Sequence, residues 1–316
     1  NIWNGLTVQA ADDSSPGFID LTAGNDSLYI RDSETLDNAT LDFGSNGNDS
    51  LENYDPYDSG ARILTLGSGF TLTVEGGTDY LRNYQADDTI VSQGTIAITG
   101  GQLLVQNGSF DNAGTISVSN GVLGLTDTST TNSGLISILT GGLAVLGVGA
   151  SNMGSIAVTS GGGLTLGSGF TNSGSISIDA GGAFGLSGYT TLANLQAANI
   201  SNNGGTLWIH STLDLGGGTL DVAPTGLTSN VVLNYGATLA NGTVRLDGGN
   251  FGFVSRPWWS WYGPDYDTNL SAITWQGLLA LPWRELIHLS MQGVALELGR
   301  AALSDEASLG DEADLI

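Results

Sequence analysis

The sequence predicts an all-β fold, a right-handed parallel β-helix (β-solenoid) with coils of about 20 residues. The motif GTIAI at Gly94 returns as GTISV, GLISI, GSIAV and GSISI, at the evenly spaced glycines Gly114, Gly134, Gly154 and Gly174. The segment LTLGSGFT at 64–71 returns at 164–171, five periods later. A fixed period of this length indicates stacked structural repeats, each of which packs on its neighbours.

Each predicted coil contains two strand patterns. In the first, aliphatic residues alternate with small ones, as in Ile116-Ser117-Val118, so both aliphatics share one face. A glycine-rich turn follows, where glycine supplies the positive φ of a tight corner. The second pattern is looser, and its expected inward pairs are Leu103 with Val105, Leu123 with Leu125, Leu143 with Val145, Leu164 with Leu166, and Phe184 with Leu186. Two or three short strands per coil, stacked about 4.8 Å apart, satisfy both patterns.

An asparagine precedes four of the repeat glycines, two positions earlier in each case: Asn112, Asn132, Asn152 and Asn172. Residues at one position of successive coils stack in a file, so we expect these amides to form a hydrogen-bonded ladder at one edge of the solenoid. The alternative is that they are ordinary turn residues that tolerate a left-handed backbone.

The chain divides into four predicted segments. Residues 1–62 form irregular acidic coils, 63–193 the regular solenoid, and 194–252 a less regular continuation. Residues 253–316 form a Trp-rich, partly helical cap or junction with an acidic tail, and Pro282 is expected to begin a helix that runs to about Leu303. The aromatic cluster there caps the last coil or, alternatively, contacts a glycan or a partner; its members are Trp258, Trp259, Trp261 and Tyr262.

Charge and composition exclude several classes of function. The 316 residues carry a net charge of -24, the seven cations are all arginine, and there is no cysteine. Nucleic-acid binding needs clustered cations, and an anionic membrane surface would repel this chain. The absence of cysteine excludes a disulfide scaffold and thiolate metal sites. No stretch is long and apolar enough to span a bilayer, and the start at Asn1 rather than Met suggests a processed chain or a piece of a longer one.

Acidic turns near the N-terminus suggest a cation site. The tetrapeptide GNDS occurs at 24–27 and 47–50, and Asp26 and Asp49 are candidate calcium ligands. These turns resemble the calcium-binding RTX repeats, although the full nonapeptide is absent. The alternative is that they are solvated turn aspartates. No other cofactor is expected.

The run from Ser173 to Val222, with its GSISI and LDLGGGTL motifs, resembles the β-strand repeats of large bacterial surface proteins. It is similar to filamentous-haemagglutinin-type adhesins and autotransporter passengers, over roughly residues 94–250. The resemblance implies an extracellular or cell-surface protein that is structural or adhesive. Neither the N-terminal secretion domain nor the C-terminal outer-membrane barrel of such families is recognisable in these residues, so the export route stays open.

Some parallel β-helices cleave polysaccharides, and these enzymes need clustered carboxylates or a cation beside bound calcium. The acids of residues 94–193 lie at three different positions of the repeat frame: Asp111, Asp127 and Asp179. The histidines His210 and His288 are far apart in sequence. We therefore expect no enzymatic activity. The outward file of Ala97, Ser117, Ser137, Ala157 and Ser177 is also not the threonine array of an ice-binding face.

The sequence thus favours a rigid spacer or surface-interaction segment of a secreted bacterial protein. The alternative is a self-assembling fibre or sheath subunit, and a further alternative is a glycan-binding or polysaccharide-acting protein. The expected partners are a host or neighbouring-cell surface, a glycan, or further copies of this chain. Neither nucleic acid nor membrane insertion is expected.

Overall fold

The computed structural model describes residues 8, 15–54, 56, 60–254, 269–277 and 295–296. Parallel strands stack coil upon coil into three sheets, which confirms the predicted all-β solenoid. The described residues contain one short α-helix, α1 (Leu192–Ala197). Each coil therefore contributes strands to a stack whose inner faces enclose one continuous apolar core.

Sheet A has nine strands, which correspond to the first strand pattern of the sequence. They are β1 (Gly17–Asp20), β4 (Ala39–Asp42), β7 (Thr71–Val74), β10 (Thr95–Ile98), β12 (Thr115–Val118), β14 (Leu135–Ile138), β17 (Ser155–Val158), β20 (Ser175–Ile178) and β23 (Ile200–Asn202). Each pairs in parallel with the strand of the next coil.

Sheet B has sixteen strands in a main stack and a side stack. The main stack contains β2 (Ser27–Ile30), β5 (Ser50–Asn53), β8 (Thr78–Asn83), β11 (Gln102–Asn112), β13 (Val122–Asn132), β15 (Leu143–Leu146), β18 (Gly163–Leu166), β21 (Ala183–Leu186), β24 (Thr206–Ile209), β27 (Asn230–Leu233) and β29 (Asn250–Phe253). The side stack contains β3 (Glu34–Leu36), β6 (Ile63–Leu66), β9 (Thr89–Ser92), β16 (Ser151–Asn152) and β19 (Thr171–Asn172).

Sheet C holds the third set of strands in the C-terminal coils. It contains β22 (Thr190–Thr191), β25 (Thr212–Asp214), β26 (Thr219–Val222), β28 (Thr238–Leu246), β30 (Asn269–Gly277) and β31 (Ala295–Leu296). Because β28 pairs with β30 from Thr238 to Leu246, the solenoid continues beyond the boundary predicted at residue 252.

The register of sheet A follows the sequence period. Ile116 pairs with Ile136, Ile136 with Ile156, and Ile156 with Ile176, so that equivalent residues stack directly. These side chains are at most 1% exposed, and the small residues between them lie on the outer face. Fully burying each aliphatic side chain contributes about 1.5–3 kcal/mol before entropy is subtracted. The expected aliphatic file is therefore present.

The repeat glycines are required by close approach between coils. A Cβ built on Gly134 would lie 2.1 Å from the carbonyl oxygen of Gly114, and one on Gly154 would lie 2.1 Å from that of Gly134. Gly174 would meet Gly154 in the same way, at 2.0 Å. In the other turn, Gly161 and its equivalents have positive φ, as expected. The two glycine positions thus have different physical causes.

One inward pair differs from the sequence prediction. Ala144 and Leu146 are buried, whereas Leu143 is 36% exposed, so the pairing of Leu143 with Val145 was wrong. The turn that precedes β15 spans residues 139–142 and is longer by one position than the turn at 119–121 before β13. Because strand side chains alternate, a single added residue exchanges the inner and outer faces.

Helix α1 was not expected from the sequence. Thr191 caps it, because its side-chain oxygen accepts a hydrogen bond from the Asn194 N–H at 3.1 Å. Leu192 and Leu195 are buried against the core. The helix lengthens the coil, so that the step from Ile176 to its partner Ile200 is longer than the regular step that joins Ile156 to Ile176.

The C-terminal predictions are tested only in part. The helix expected from Pro282 to Leu303 is wrong at Ala295 and Leu296, which form β31 and pair with β30. The rest of that helix and the aromatic cluster of Trp258, Trp259, Trp261 and Tyr262 lie outside the described residues.

Candidate functional site

The four predicted asparagines lie in one file, where sheet B turns toward sheet A. Asn112 Nδ2 donates to Asn132 Oδ1 at 2.7 Å, and Asn132 and Asn152 each donate to the next amide oxygen at 2.6 Å. Asn172 Nδ2 ends the series by donating to the Ala198 carbonyl at 2.6 Å. The first three residues are each 1% exposed. These four side chains therefore form a continuous ladder with all amides oriented in one direction.

The asparagines of the ladder also form hydrogen bonds with the backbone of the next coil. Asn132 Nδ2 lies 3.3 Å from the Ser155 carbonyl, and the Asn132 carbonyl accepts hydrogen bonds from the N–H groups of Met153 and Gly154. Asn132 and Asn152 thus have partners at both ends of their amides, and they also bond to the peptide groups of the next corner. A buried amide without such partners would cost about 1–3 kcal/mol.

The start of the ladder is incomplete. Ser92 occupies the same file and pairs in register with Asn112. The Oγ of Ser92 and the Oδ1 of Asn112 are both buried and have no hydrogen-bond partner among the described residues. This point marks the change from the N-terminal coils, which we define as those that precede Gly94, to the regular ones. The regular interval begins at Thr95, which pairs with Thr115, and not at the predicted residue 63, because the step from Thr71 to Thr95 is longer.

The N-terminal coils have polar files inside sheet B. Asn53 Nδ2 lies 3.3 Å from Asn83 Oδ1, and Asn83 Nδ2 donates to the Asn107 and Ser109 carbonyls. Asp49 and Asp79 are fully buried, each two positions before a buried leucine, Leu51 and Leu81 respectively. The signal that could have revealed this is the pattern D-x-L-x-N, which begins at Asp49 and again at Asp79. Its period of two puts the carboxylate on the same face as the leucine.

The structure places the two candidate calcium ligands in adjacent coils. Asp49 Oδ1 accepts a hydrogen bond from the Asp26 N–H at 2.8 Å, so one of its oxygens is already engaged. Asp49 is not a solvated turn residue, because its side chain is fully buried, whereas Asp26 is half-buried. Across the described ranges, no group of three or more histidine, cysteine or acidic side chains converges as a metal site would require. Calcium binding stays a prediction.

Another buried carboxylate, Asp88, holds a turn together. Its Oδ1 accepts a hydrogen bond from the Arg62 N–H and its Oδ2 from the Gln85 N–H, each at 2.9 Å. The neighbouring Asp87 is exposed. With both oxygens occupied by backbone donors, Asp88 has a structural role.

The outer face of sheet B carries aromatic and cationic side chains in the N-terminal coils. The rings of Tyr29, Tyr54 and Tyr84 succeed one another with centroid distances of 4.9 and 4.6 Å. Arg82 lies over the Tyr80 ring at 3.9 Å and pairs with Glu52 at 3.2 Å. The tyrosine contacts and the Arg82–Glu52 pair link successive coils on the outside, as the asparagines link them at the edge.

The outer face of sheet A is uncharged along strands β7, β10, β12, β14, β17 and β20. A half-buried file of small residues lies at its middle: Ala97, Ser117, Ser137, Ala157 and Ser177. One coil also exposes apolar side chains on several sides, namely Leu135, Leu139, Leu143, Val148 and Met153.

His210 and Asp214 both contact residues of other coils. Asn234 Nδ2 lies 2.8 Å from His210 Nδ1, and the imidazole ring lies parallel to that of Trp208. Partial desolvation lowers the pKa of His210. Asp214 accepts hydrogen bonds from the Gly216 N–H, Tyr189 and Asn241, which hold its pKa below the usual range. Each group is thus engaged in contacts between coils.

A small cavity lies between α1 and the preceding coils. It is lined mainly by apolar residues such as Leu166, Phe170, Leu195 and Ile200, and no titratable side chain lines it. Where the chain is described, no helix combines the length and hydrophobicity needed to cross a membrane.

Comparisons with known proteins give no relative. No protein-family model matches the chain, and no curated protein or solved structure is significantly similar to it.

Proposed function

We propose that this chain is a rigid, non-enzymatic segment of an extracellular bacterial surface protein, which acts through its length and its surface. The observation that carries the proposal is the in-register stack of coils. Eleven strands follow one another in the main stack of sheet B. At a strand spacing of about 4.8 Å they give a rod of roughly 50 Å.

The side chains support the role of a spacer. Each regular coil is tied to the next by backbone hydrogen bonds, aliphatic stacking and one asparagine amide. The small uncharged residues on sheet A leave that face smooth, while a net charge of -24 favours solubility. Extracellular or cell-surface location rests on the resemblance to adhesin repeats.

The absence of enzymatic activity is part of the proposal. The buried acids Asp49, Asp79 and Asp88 accept backbone hydrogen bonds from within the coils, and His210 contacts an amide. Hydrolysis of a glycosidic bond needs a pair of acids that face the substrate. A turnover screen with pectin, alginate and other acidic glycans tests this part, and any product overturns it.

Rigidity can be measured directly, because the chain has no cysteine and accepts two introduced labels. Ala97 and Ser201 lie in one outward file of sheet A, five coil steps apart. Spin labels on Ala97→Cys with Ser201→Cys should give a narrow distance distribution centred at roughly 24 Å between backbones, from about 4.8 Å per step. A broad distribution would contradict a stiff spacer.

Self-assembly into a fibre or sheath is the second candidate. The exposed apolar residues of the coil that contains Leu135, Val148 and Met153 favour it, since apolar surface promotes association. Light scattering after size exclusion, with negative-stain microscopy over a concentration series, separates the two. A spacer stays monomeric, whereas a fibre subunit elongates as concentration rises.

Glycan binding through the aromatic cluster remains a further proposal. The double variant Trp258→Ala with Trp259→Ala should abolish binding on a glycan array if the cluster is the contact. A cell-surface partner would be tested by adhesion of chain-coated beads to cells, with uncoated beads as the control.

A further inference from the structure

The asparagines of this chain form two groups that differ in the residue two positions later. Each ladder asparagine is followed there by a glycine, such as Gly134 after Asn132. Close approach between coils requires that glycine, because a Cβ on it would lie 2.1 Å from the Gly114 carbonyl oxygen. A ladder asparagine therefore cannot have a hydroxyl side chain at this position.

The second group of asparagines has serine or threonine two positions later. This Asn-x-Ser/Thr motif, in which x is not proline, is the acceptor sequence for an N-linked sugar. It occurs at Asn25, Asn38, Asn48, Asn107, Asn199, Asn241 and Asn269. All of these except Asn269 have a positive φ, and those same residues are exposed. The motif thus coincides with surface turns of the solenoid, where asparagine tolerates a left-handed backbone.

Two of these motifs have hydroxyls that are already engaged. The two GNDS turns tie their serines together, because Ser50 Oγ lies 2.8 Å from Ser27 Oγ. Ser50 is also only 1% exposed, and its Oγ lies 2.8 Å from Glu52 Oε1. An enzyme that reads the motif must reach both the amide and the hydroxyl. Asn25 and Asn48 therefore belong to motifs that the fold has occupied, Asn48 more completely.

Three further motifs have amides that are already engaged. Asn107 and Asn199 donate through Nδ2 to backbone carbonyls of the preceding coil, at 3.1 and 3.0 Å. Asn241 Nδ2 donates to Asp214 Oδ1 at 3.1 Å. A nitrogen held in this way is turned toward its partner in the solenoid, and it is less accessible to an enzyme.

Asn38 differs from these residues in both respects. No side-chain hydrogen bond engages the Asn38 amide or the Thr40 hydroxyl within the part of the chain that the structure describes. Asn38 is exposed and has a φ of 51°, and Thr40 lies half-buried on the outer face of β4. Both groups that the motif requires are therefore accessible in the folded chain.

The turn that contains Asn38 is held in place by its neighbours. Asp37 Oδ1 accepts hydrogen bonds from the Asn38 N–H at 2.9 Å and from the Gly69 N–H at 2.7 Å. Gly69 lies against this turn from the next coil, since a Cβ on it would be 3.3 Å from the Asn38 backbone nitrogen. Because Gly69 has no side chain, it does not cover the Asn38 amide.

We propose that Asn38 is an acceptor site for an N-linked neutral hexose, which a glycosyltransferase that reads Asn-x-Ser/Thr attaches from a sugar diphosphate. The Asn38 Nδ2 forms a bond to the anomeric carbon of the sugar as the bond from that carbon to the phosphate oxygen breaks. The diphosphate leaves with the electron pair of the broken bond, and Nδ2 gives up one proton to a base of the enzyme. A neutral sugar adds no charge beside Asp37 in a chain of net charge -24. The site does not depend on whether the chain is a spacer or a fibre subunit.

Enzymatic transfer to the full folded chain tests the proposal. One arm uses a soluble transferase with uridine diphosphate glucose, and the other uses a membrane transferase with a lipid-diphosphate sugar, so the productive arm identifies the source of the sugar. Mass spectrometry of proteolytic fragments then locates each added sugar. We expect Asn38 to be modified and Asn48 to stay unmodified in the folded chain. Synthetic peptides spanning 34–43 and 44–53, which have no fold, should both be modified.

Variants of the motif separate recognition from a chance modification. Thr40→Ala should abolish transfer to Asn38, whereas Thr40→Ser should retain it because the hydroxyl is kept. Circular dichroism checks that each variant is folded. If Thr40→Ala fails to fold, Asn38→Asp replaces it, since aspartate also tolerates a left-handed backbone but has no amide nitrogen.

Three results would overturn the proposal. The first is the absence of sugar on Asn38 of the folded chain in both arms, whether or not the peptides are modified. The second is equal modification of Asn38 and Asn48 in the folded chain, which would mean that the structure does not select between the motifs. The third is transfer to Asn38 that persists in folded Thr40→Ala.

Discussion

The N-terminal coils and the regular coils share one backbone plan but have different interiors. In the regular coils, Thr95 pairs with Thr115, and each later strand of sheet A pairs at the same interval as far as Ser175. In the N-terminal coils the steps are unequal, since Gly17 pairs with Ala39 but Thr40 pairs with Thr71. The regular coils bury aliphatics and one asparagine file, whereas the N-terminal coils bury carboxylates as well.

The comparison indicates that coils of constant length give side-chain ladders with shorter hydrogen bonds between the amides. In the regular coils the amide hydrogen bonds measure 2.6–2.7 Å, whereas the Asn53–Asn83 bond, which spans a longer coil, measures 3.3 Å. Equal coils place identical side chains directly over one another, so like residues can pair. In unequal coils, side chains such as Asp49 and Asp88 bond to backbone N–H groups instead.

The largest expected effect comes from the core. Ile136→Ala in a regular coil and Leu51→Ala in an N-terminal coil should each lower the free energy of unfolding by about 2–5 kcal/mol, because both side chains are fully buried. Denaturant unfolding followed by circular dichroism measures this, with half-exposed Ile63→Ala as the control. A much smaller loss for Leu51→Ala would show that the N-terminal coils are loosely packed.

The asparagine ladder comes next. Asn132→Ala removes the acceptor of Asn112 and the donor to Asn152, so two buried polar groups lose partners. We expect a loss of about 2–4 kcal/mol in the free energy of unfolding. Thr131→Ala, which changes the adjacent outward residue, is the matched control. Asn53→Ala should cost less because its amide bond is longer, and an equal cost would contradict the distinction between the two regions.

The buried turn of the N-terminal coils gives a smaller effect. Asp88→Asn replaces one acceptor oxygen with an NH2 group that faces a backbone N–H, from either Arg62 or Gln85. We expect a loss of about 1–2 kcal/mol. Exposed Asp87→Asn serves as the control in the same denaturant experiment. No loss in Asp88→Asn would mean that its hydrogen bonds do not hold the turn.

The smallest expected effect is a gain. Ser92→Asn should extend the ladder by one rung and supply a donor to the unpartnered Asn112 Oδ1. We expect the free energy of unfolding to rise by about 1 kcal/mol. Ser92→Ala, which supplies no donor, is the control. A loss in Ser92→Asn would show that Leu66, the residue paired with Ser92 in the preceding coil, leaves no room for an amide.

Much of the fold was predictable from the sequence because the coils are equal in length. Residues separated by one coil length therefore occupy equivalent positions, either in the core, at the edge or on the outer face. The position of Asn132 in its ladder and of Ile136 in its file followed from spacing alone. Leu143 was misplaced because one added turn residue reverses the alternation, and a looser pattern does not reveal that. The burial of Asp79 was missed because acidic residues are usually solvated, although its spacing from Leu81 already indicated an inward face.

By itself, the sequence determined the coil length, the aliphatic files and the order of the asparagines, because these depend only on period and alternation. The tertiary structure decided which turns absorb extra residues, where α1 interrupts a coil, and which aspartates lie inside. The extra turn residues, α1 and the buried aspartates all occur where neighbouring coils differ in length. In coils of unequal length, sequence spacing alone does not determine which residues stack on one another.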